Sequence, residues 1–378
     1  MKPEASVSEP LSEPLSDPLL SVRDLTIAFD SGPAVRGLSF DVRRGEVLAV
    51  VGESGAGKSV TARTVIGMAP RGAIVAGNVT LHAPGSGAVE LVGADRSARA
   101  ALWGRRVALV PQDALSALSP VHRVGDQLAA AVRSVRGLSR SRARAAAVTA
   151  LEKVGIADAA RTARAYPHEF SGGMRQRAVI AMATVNEPDL VVADEPTTAL
   201  DSELRDQVLE LLVRRCKATG AALVLVTHDL EAVRDHADRV LVMYAGRHAE
   251  SGPVDEVFRQ PHAPYTAGLL ASLPPEEPLA GEPPPEGPSP GGPPPEEPSP
   301  GRRLPGRRLP AISGAPPALD ALPPGCAFAP RCPLAEERCR KELPEPEETY
   351  GRRSVSCHRW RELTPSLAES FLERASPA

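Results

Sequence analysis

Five consecutive apolar residues, Val47–Val51, run directly into Gly-Glu-Ser-Gly-Ala-Gly-Lys-Ser at 52–59. A continuous apolar run of that length suits a strand buried on both faces, as in a parallel sheet. Gly52, Gly55 and Gly57 let the backbone bend so that several N–H groups converge on phosphate oxygens. Glu53, Ser54, Ala56 and Val60 complete the cradle. A helix starting near Lys58 adds its positive end. Lys58 then neutralises the outer phosphates, and the Ser59 hydroxyl joins a Mg²⁺ shell. Strand, loop and helix occur in the order that the G-x4-G-K-S pattern requires. The chain is thereby restricted to α/β architectures that hold a nucleoside triphosphate at a strand end.

Three further segments end apolar runs in polar chemistry. Leu-Val-Val-Ala at 190–193 finishes in Asp194-Glu195. Buried strands seldom end on two carboxylates without a cation or proton to handle, so Asp194 is placed to hold Mg²⁺ and Glu195 to polarise an attacking water. The plain alternative is that both cap the next turn. His228 follows the apolar run 222–226, where the carboxyl end of a parallel strand would meet a nucleotide. There it can bind the γ-phosphate and orient Glu195, although a lone histidine is more often structural. Gln112 follows the run 107–110, and an amide there can bind Mg²⁺ and water while its loop touches something else.

The rest of the pattern agrees with an α/β domain. Residues 20–29 and 34–42 alternate apolar and polar like strands. Helices are expected over 58–68, from Ser171 to about 185, and near 202–217 and 230–236. Strands at 190–193 and 222–226 alternate with them, which implies a largely parallel sheet. Residues 96–165 read as mostly helical, and the basic run at 136–144 as a solvated face.

Both ends of the chain differ from this core. Residues 1–18 repeat Ser-Glu-Pro-Leu with no core-forming pattern and are expected to be a disordered tail. Of the chain's 40 prolines, 19 fall between Pro274 and Pro324. That stretch nearly repeats itself and reads as an extended linker over 273–323. The expected divisions are therefore an ATPase-type domain over 19–272, with a helical part at about 96–185, then the linker, a cysteine-rich extension over 324–362, and a tail over 363–378.

Composition excludes several classes. The chain has 378 residues, 44 basic against 47 acidic, for a net charge of −3. That near-balance argues against a nucleic-acid binder that relies on bulk positive charge. No apolar run approaches the roughly 18–20 residues needed to span a bilayer, and no signal peptide is visible. The expectation is a cytoplasmic chain that reaches a membrane only through partners.

Four of the five cysteines, Cys326, Cys332, Cys339 and Cys357, cluster late in the chain. In a reducing compartment they point to metal or core roles rather than disulfides. Structural zinc usually takes tighter pairs. The longer spacing, with Pro333 after Cys332, fits an iron–sulfur cluster better. Zinc and unmetallated thiols are the alternatives. Cys216, on an expected helix, reads as a small buried hydrophobe.

Taken in order, residues 52–59, Gln112, 171–176, 190–195, 199–201 and His228 closely resemble the ATP-binding subunits of ABC transporters, over roughly residues 20–270. The resemblance implies a P-loop ATPase core with a mostly parallel sheet, an antiparallel N-terminal β-subdomain, and a helical subdomain bearing a signature loop. Ser171, Gly172, Gly173 and Met174 match that signature, which in the family faces the phosphate loop of a second subunit across ATP. Asp201 matches a loop that crosses this dimer interface. Gln112 matches the loop that relays nucleotide state to the membrane subunits. Phe29 is the nearest match to the aromatic that stacks on adenine. The signature departs from the commoner Leu-Ser-Gly-Gly-Gln in having Phe170 and Met174.

Gly-Lys-Ser-Val-Thr-Ala at 57–62, the segment 112–120, and Pro-Gly-Cys-Ala-Phe-Ala-Pro-Arg-Cys-Pro at 324–333 narrow the resemblance. They look like the D-type ATPase subunit of oligopeptide, dipeptide and nickel importers. That subfamily implies ATP and Mg²⁺ as cofactors and a 4Fe-4S cluster on the four cysteines. Its partners are two integral-membrane permease subunits, a second, F-type ATPase subunit and, indirectly, an extracytoplasmic solute-binding protein, with no nucleic acid. It places the chain at the cytoplasmic face of the inner membrane. The expected function is ATP-driven import. The rivals are a soluble ABC-type ATPase uncoupled from transport and a non-catalytic nucleotide switch.

Overall fold

The alternating N-terminal segments fold as β1 (Pro18–Phe29) and β2 (Gly32–Arg43), an antiparallel pair with Val22 opposite Phe40 and Ile27 opposite Val35. The chain continues through β3 (Val47–Val51), β4 (Ile74–Ala83), β5 (Gly87–Glu90), β6 (Val107–Val110), β7 (Leu190–Asp194) and β8 (Ala222–Val226). It closes with β9 (Arg239–Tyr244), β10 (Arg247–Pro253), β11 (Glu347–Thr349) and β12 (Arg353–Val355). This computed structural model describes residues 17–83, 87–198, 200–273, 312 and 314–363. Most of the N-terminal tail and of the linker, and the C-terminal tail beyond 363, lie outside the described residues.

Two sheets result. One is antiparallel, in the order β2-β1-β4-β5; the other runs β11-β12-β10-β9-β3-β8-β7-β6. In the large sheet β6, β7, β8, β3 and β9 are parallel, and β10, β12 and β11 join antiparallel. Period-two burial explains the layers. On β7, Val191 and Ala193 face a core shared with the helices Val124–Arg136 and Gly172–Thr184, whereas Leu190 and Val192 face the core between the sheets. Leu223 and Leu225 of β8 follow the first pattern, and Ala222, Val224 and Val226 the second. Each fully buried Val or Leu is worth roughly 1.5–3 kcal/mol, so a one-residue slip would reverse both faces at once.

The helix after the phosphate loop spans Lys58–Thr64, shorter than the sequence suggests. Gly67, at φ 74°, turns the chain, and its N–H returns to the Thr64 carbonyl. The cysteine-rich extension lengthens the large sheet through β11 and β12. Ile312 and Leu322, from the stretch read as linker, pack partly buried against a third core built on Ala49, Val51, Tyr244, Tyr265 and Phe328.

The join between β10 and β12 is electrostatic as well as backbone-bonded. Glu250 is fully buried and accepts from the His262 and Ala263 N–H groups and from Arg353 at 2.7 Å. Arg353 also donates to the Gln260 carbonyl. Removing one partner of such a pair strands the other charge away from water. Arg353→Ala should therefore lower unfolding stability by about 3 kcal/mol in urea titrations; a loss under about 1 kcal/mol would mean that the pair adds little beyond a surface bridge.

Candidate nucleotide site

The parallel strands β3, β6, β7 and β8 all deliver their following residues to one end of the sheet, where open α/β folds take ligands. The loop after β3 needs its three glycines for different reasons. Gly52 has φ 147° and a β-carbon there would lie 2.2 Å from the Met243 carbonyl oxygen; Gly57 has φ 92° and would place one 2.6 Å from the Ala34 carbonyl oxygen. Gly55 is exposed and has φ 82°, with nothing within 4 Å of a β-carbon there. Its left-handed backbone, not crowding, is what favours glycine at that position. Lys58 is buried and donates to the carbonyls of Gly52 at 2.8 Å and Glu53 at 3.0 Å. Burial lowers its pKa from the usual lysine range, opposed by the carboxylates of Glu195, Asp194 and Glu53.

Asp194 ends β7 with no exposed surface. The Ser59 hydroxyl donates to its Oδ1 at 2.6 Å, and Arg63 bonds its Oδ2 at 3.2 Å. Glu195 follows at φ 46°, a left-handed backbone that is uncommon for a side chain of this size. Its N–H donates to the Val226 carbonyl, which ties it to the end of β8. Three side chains gather on its Oε2: Thr198 Oγ1 at 3.0 Å, Gln112 Nε2 at 3.3 Å and His228 Nδ1 at 3.6 Å. Asp194, Glu195, Gln112, His228, Lys58 and Ser59, named separately from the sequence, thus lie in one place.

The signature residues do not join them. Ser171 caps the helix Gly172–Thr184 by accepting from the Met174 N–H. Gly173 is buried, and a β-carbon there would lie 2.5 Å from Leu204. Ser171 and Gly172 are exposed, and no described hydrogen bond or ion pair links residues 171–174 to the phosphate loop. Asp201 likewise caps its own helix, Ser202–Thr219, through the Leu204 N–H; Ala199 lies outside the described residues. Phe29 is half-buried at the tip of the β1–β2 hairpin, against the core between the sheets.

Sequence reasoning missed Arg63, Thr198, Tyr265 and Arg331. Arg63 had a signal, since it lies four residues after Ser59 on the same helix face. The Tyr265 hydroxyl accepts from the Glu53 N–H at 2.8 Å, and Arg331 pairs with the Glu53 carboxylate. Nothing local marks those two.

The four clustered cysteines are all unpaired and line one cavity of about 70 Å³ with Tyr244, His248 and Phe328. Among the described residues, no three His, Cys, Asp or Glu side chains are placed to hold one metal ion. Burial pushes Cys326 up, Cys332 to about 11 and Cys357 to about 12. Buried Cys216 rises to about 12 for the same reason.

Comparison with known proteins places the chain. The ABC transporter family pattern matches residues 35–198, and the pattern described as "Oligopeptide/dipeptide transporter, C-terminal region" matches 249–301 and 296–339. The dipeptide transport ATP-binding protein DppD of Bacillus subtilis is 39% identical over 343 residues, covering 90% of this chain and 94% of that one. The oligopeptide transport ATP-binding protein OppD of Mycobacterium tuberculosis is 44% identical over 332 residues, 86% of this chain but 49% of that protein. This chain therefore spans about half the length of that relative. Among solved structures, cbiO1 from Clostridium perfringens, part of the ABC transporter complex cbiONQ, aligns at TM-score 0.55 and 27% identity over 65% of this chain and 92% of that one. The dimeric ATP-binding cassette MJ0796 with ADP and Pi aligns at 0.54 and 24% over 62% and 98%, a likeness of fold. The chain belongs to the ABC transporter ATP-binding proteins, in their oligopeptide/dipeptide branch. Among its described residues no helix is long and apolar enough to cross a membrane.

His248 gives this region a pH dependence. It bonds Ser251 and, beyond β12, Ser356, and burial lowers its pKa from 6.5 to about 4. The unfolded chain takes up the proton near 6.5 and the folded chain only near 4, so stability falls as pH drops through that window. Urea midpoints should decline from pH 7 to pH 4.5, and His248→Asn should flatten the decline; an unchanged slope in the variant would assign it to other groups.

Proposed function

We propose that the chain is the ATP-hydrolysing subunit of an ABC importer for oligopeptides, dipeptides or related small solutes, nickel included. The observation that carries this reading is the gathering of Gln112, Thr198 and His228 on one oxygen of Glu195, beside Asp194 and the phosphate loop. A carboxylate so held has one oxygen oriented and its other oxygen open to take a proton from water in line with the γ-phosphate. Lys58 and His228 offset the charge that develops there. The residues at 52–60 cradle the phosphates, with Ser54 and Gly55 at the exposed crest of the loop, and Phe29 is the stacking partner for adenine.

The chemistry of Ser59 and Asp194 fits Mg²⁺, a hard cation that takes hydroxyl and carboxylate oxygens, and Gln112 offers a third oxygen. Mg²⁺ held there would offset the negative charge of the phosphates. Ser171 and Gly172 stand exposed at a helix start. They suit the phosphates of a second subunit's ATP, with Met174 and Asp201 alongside, and an F-type chain is the proposed second subunit. Leu115 and Val121, 57% and 73% exposed, lie just past Gln112 and offer an apolar contact to two membrane permease subunits. Those subunits would hold the chain at the cytoplasmic face of the inner membrane, and a solute-binding protein would deliver cargo from outside. We assign residues 19–272 to the ATPase, 273–323 to a linker and 324–362 to the cysteine extension.

For Cys326, Cys332, Cys339 and Cys357 we propose a 4Fe-4S cluster. The four thiols line one cavity; zinc, which takes four sulfurs about 2.3 Å from one point, is the alternative occupant. A cluster spreads its four thiolates over separate irons. Anaerobically purified protein should carry about four irons and four sulfides per chain; one zinc and no sulfide would overturn the assignment.

Glu195→Gln should bind ATP as the parent does and lose about 100-fold in phosphate release. Near-normal turnover would remove Glu195 from the reaction.

A further inference from the structure

Glu53 is the first residue after Gly52 in the phosphate loop, and its carboxylate lies in a loop built to receive a polyanion. Left alone, a like charge there opposes phosphate binding. The structure supplies a counter-charge from 278 residues away: Arg331 donates to both carboxylate oxygens, at 2.7 and 2.9 Å. This fork is the strongest geometry available to such a pair. Arg331 is well buried, with a side chain only 6% exposed. It also donates to the Tyr244 hydroxyl at 3.0 Å and the Ile312 carbonyl at 3.2 Å, and lies 5.8 Å from the Tyr244 and Phe328 ring centres.

Glu53 is in fact held at three points. Arg331 takes its carboxylate, Tyr265 its N–H, and Lys58 its carbonyl. Tyr244, Tyr265 and Phe328 pack on one another with centroids 4.5–5.4 Å apart, which fixes the two outer holders together. The end of the linker, just before that extension, also approaches the loop. Residues 316–319 face residues 53–56 across a cavity of about 250 Å³, and the Leu319 carbonyl lies 3.0 Å from where a β-carbon on Gly32 would sit.

We infer that Arg331 is a positioning residue of the nucleotide site, acting through Glu53, and that the C-terminal segment is a working wall of that site. Arg331 cancels the Glu53 charge and holds the carboxylate away from the phosphates, so the loop meets ATP with its N–H groups and Lys58 alone. Cys332 is the next residue, so whatever occupies the cysteine cavity sits one peptide bond from this control point. The inference rests on the ATPase reading above and adds to it a residue far outside the ATPase motifs.

A double-mutant cycle on the full chain tests it, with equilibrium titration of a fluorescent ATP analogue and phosphate-release kinetics as readouts. Arg331→Ala should weaken nucleotide binding about tenfold, raising KM for ATP while kcat changes far less. In a Glu53→Gln background the same change should cost less than about twofold, because no carboxylate is left to cancel. Arg331→Lys, which keeps the charge but loses the fork, should fall between, and its effect should also vanish with Glu53→Gln. Equal losses in both backgrounds would make Arg331 a mere anchor and overturn the inference, as would unchanged binding. If Arg331→Ala fails to fold by circular dichroism, the lysine variant carries the same cycle. Failure of the parent protein to bind the analogue would instead sink the ATPase reading itself.

Discussion

At Gly52 and Gly57 the backbone of the phosphate loop passes through spaces with no room for a side chain, and the rest of the site depends on that passage. Gly52 runs against the Met243 carbonyl at the end of β9, while Gly57 and Gly246 both press on Ala34 of β2. Three glycines thus draw together the large sheet, the small sheet and the loop. With the loop wedged there, Lys58 meets the carbonyls of its own loop, and Ser59 reaches Asp194 across to β7. A β-carbon at Gly52 or Gly57 would have to displace main chain, which cannot yield as a side-chain tip can.

The polar groups around that loop form two tiers. The inner tier, Asp194 and Glu195 with their partners, is assembled by parallel strands that end side by side. The outer tier comes from the C-terminal segment, whose Arg331 and aromatic neighbours grip Glu53. What fastens the outer tier is the buried Glu250–Arg353 pair, which sews β12 onto β10. Burying charges is costly unless hydrogen bonds replace water, and here the carboxylate has three donors. The C-terminal segment is therefore a structural part of the large sheet. It is also close enough to the loop to act on it.

Much of this was legible in the residues. β3 and β8 begin and end where their apolar runs do, and the helix Leu230–His236 lies where its pattern places it. Local chemistry sets those bounds: apolar runs stop at polar strand ends, and Asp229 caps the helix through the Ala232 N–H. The inner site was legible for the same reason, since each member directly follows a strand. Other parts were not. β10, with Arg247, His248 and Glu250 among seven residues, carries no clean alternation, because its polar groups are matched by partners from distant segments. β11 and β12 have three residues each and exist only by pairing with β10 and with each other. The helix after the loop ended early because Gly67 could take a left-handed turn that apolar spacing does not reveal.

The sequence by itself determined the α/β class, the phosphate loop and the polar strand ends gathered beside it, and the four-cysteine set. Each is written in contiguous residues whose backbone preferences and polar ends act locally. Only the tertiary structure decided that Glu53 would be neutralised by Arg331, that Asp194 would be shared between Ser59 and Arg63, and that four thiols would ring one cavity. Those arrangements arise from charge and shape meeting across long stretches of chain. No pattern within a window of residues encodes a contact that exists only after both sheets have closed.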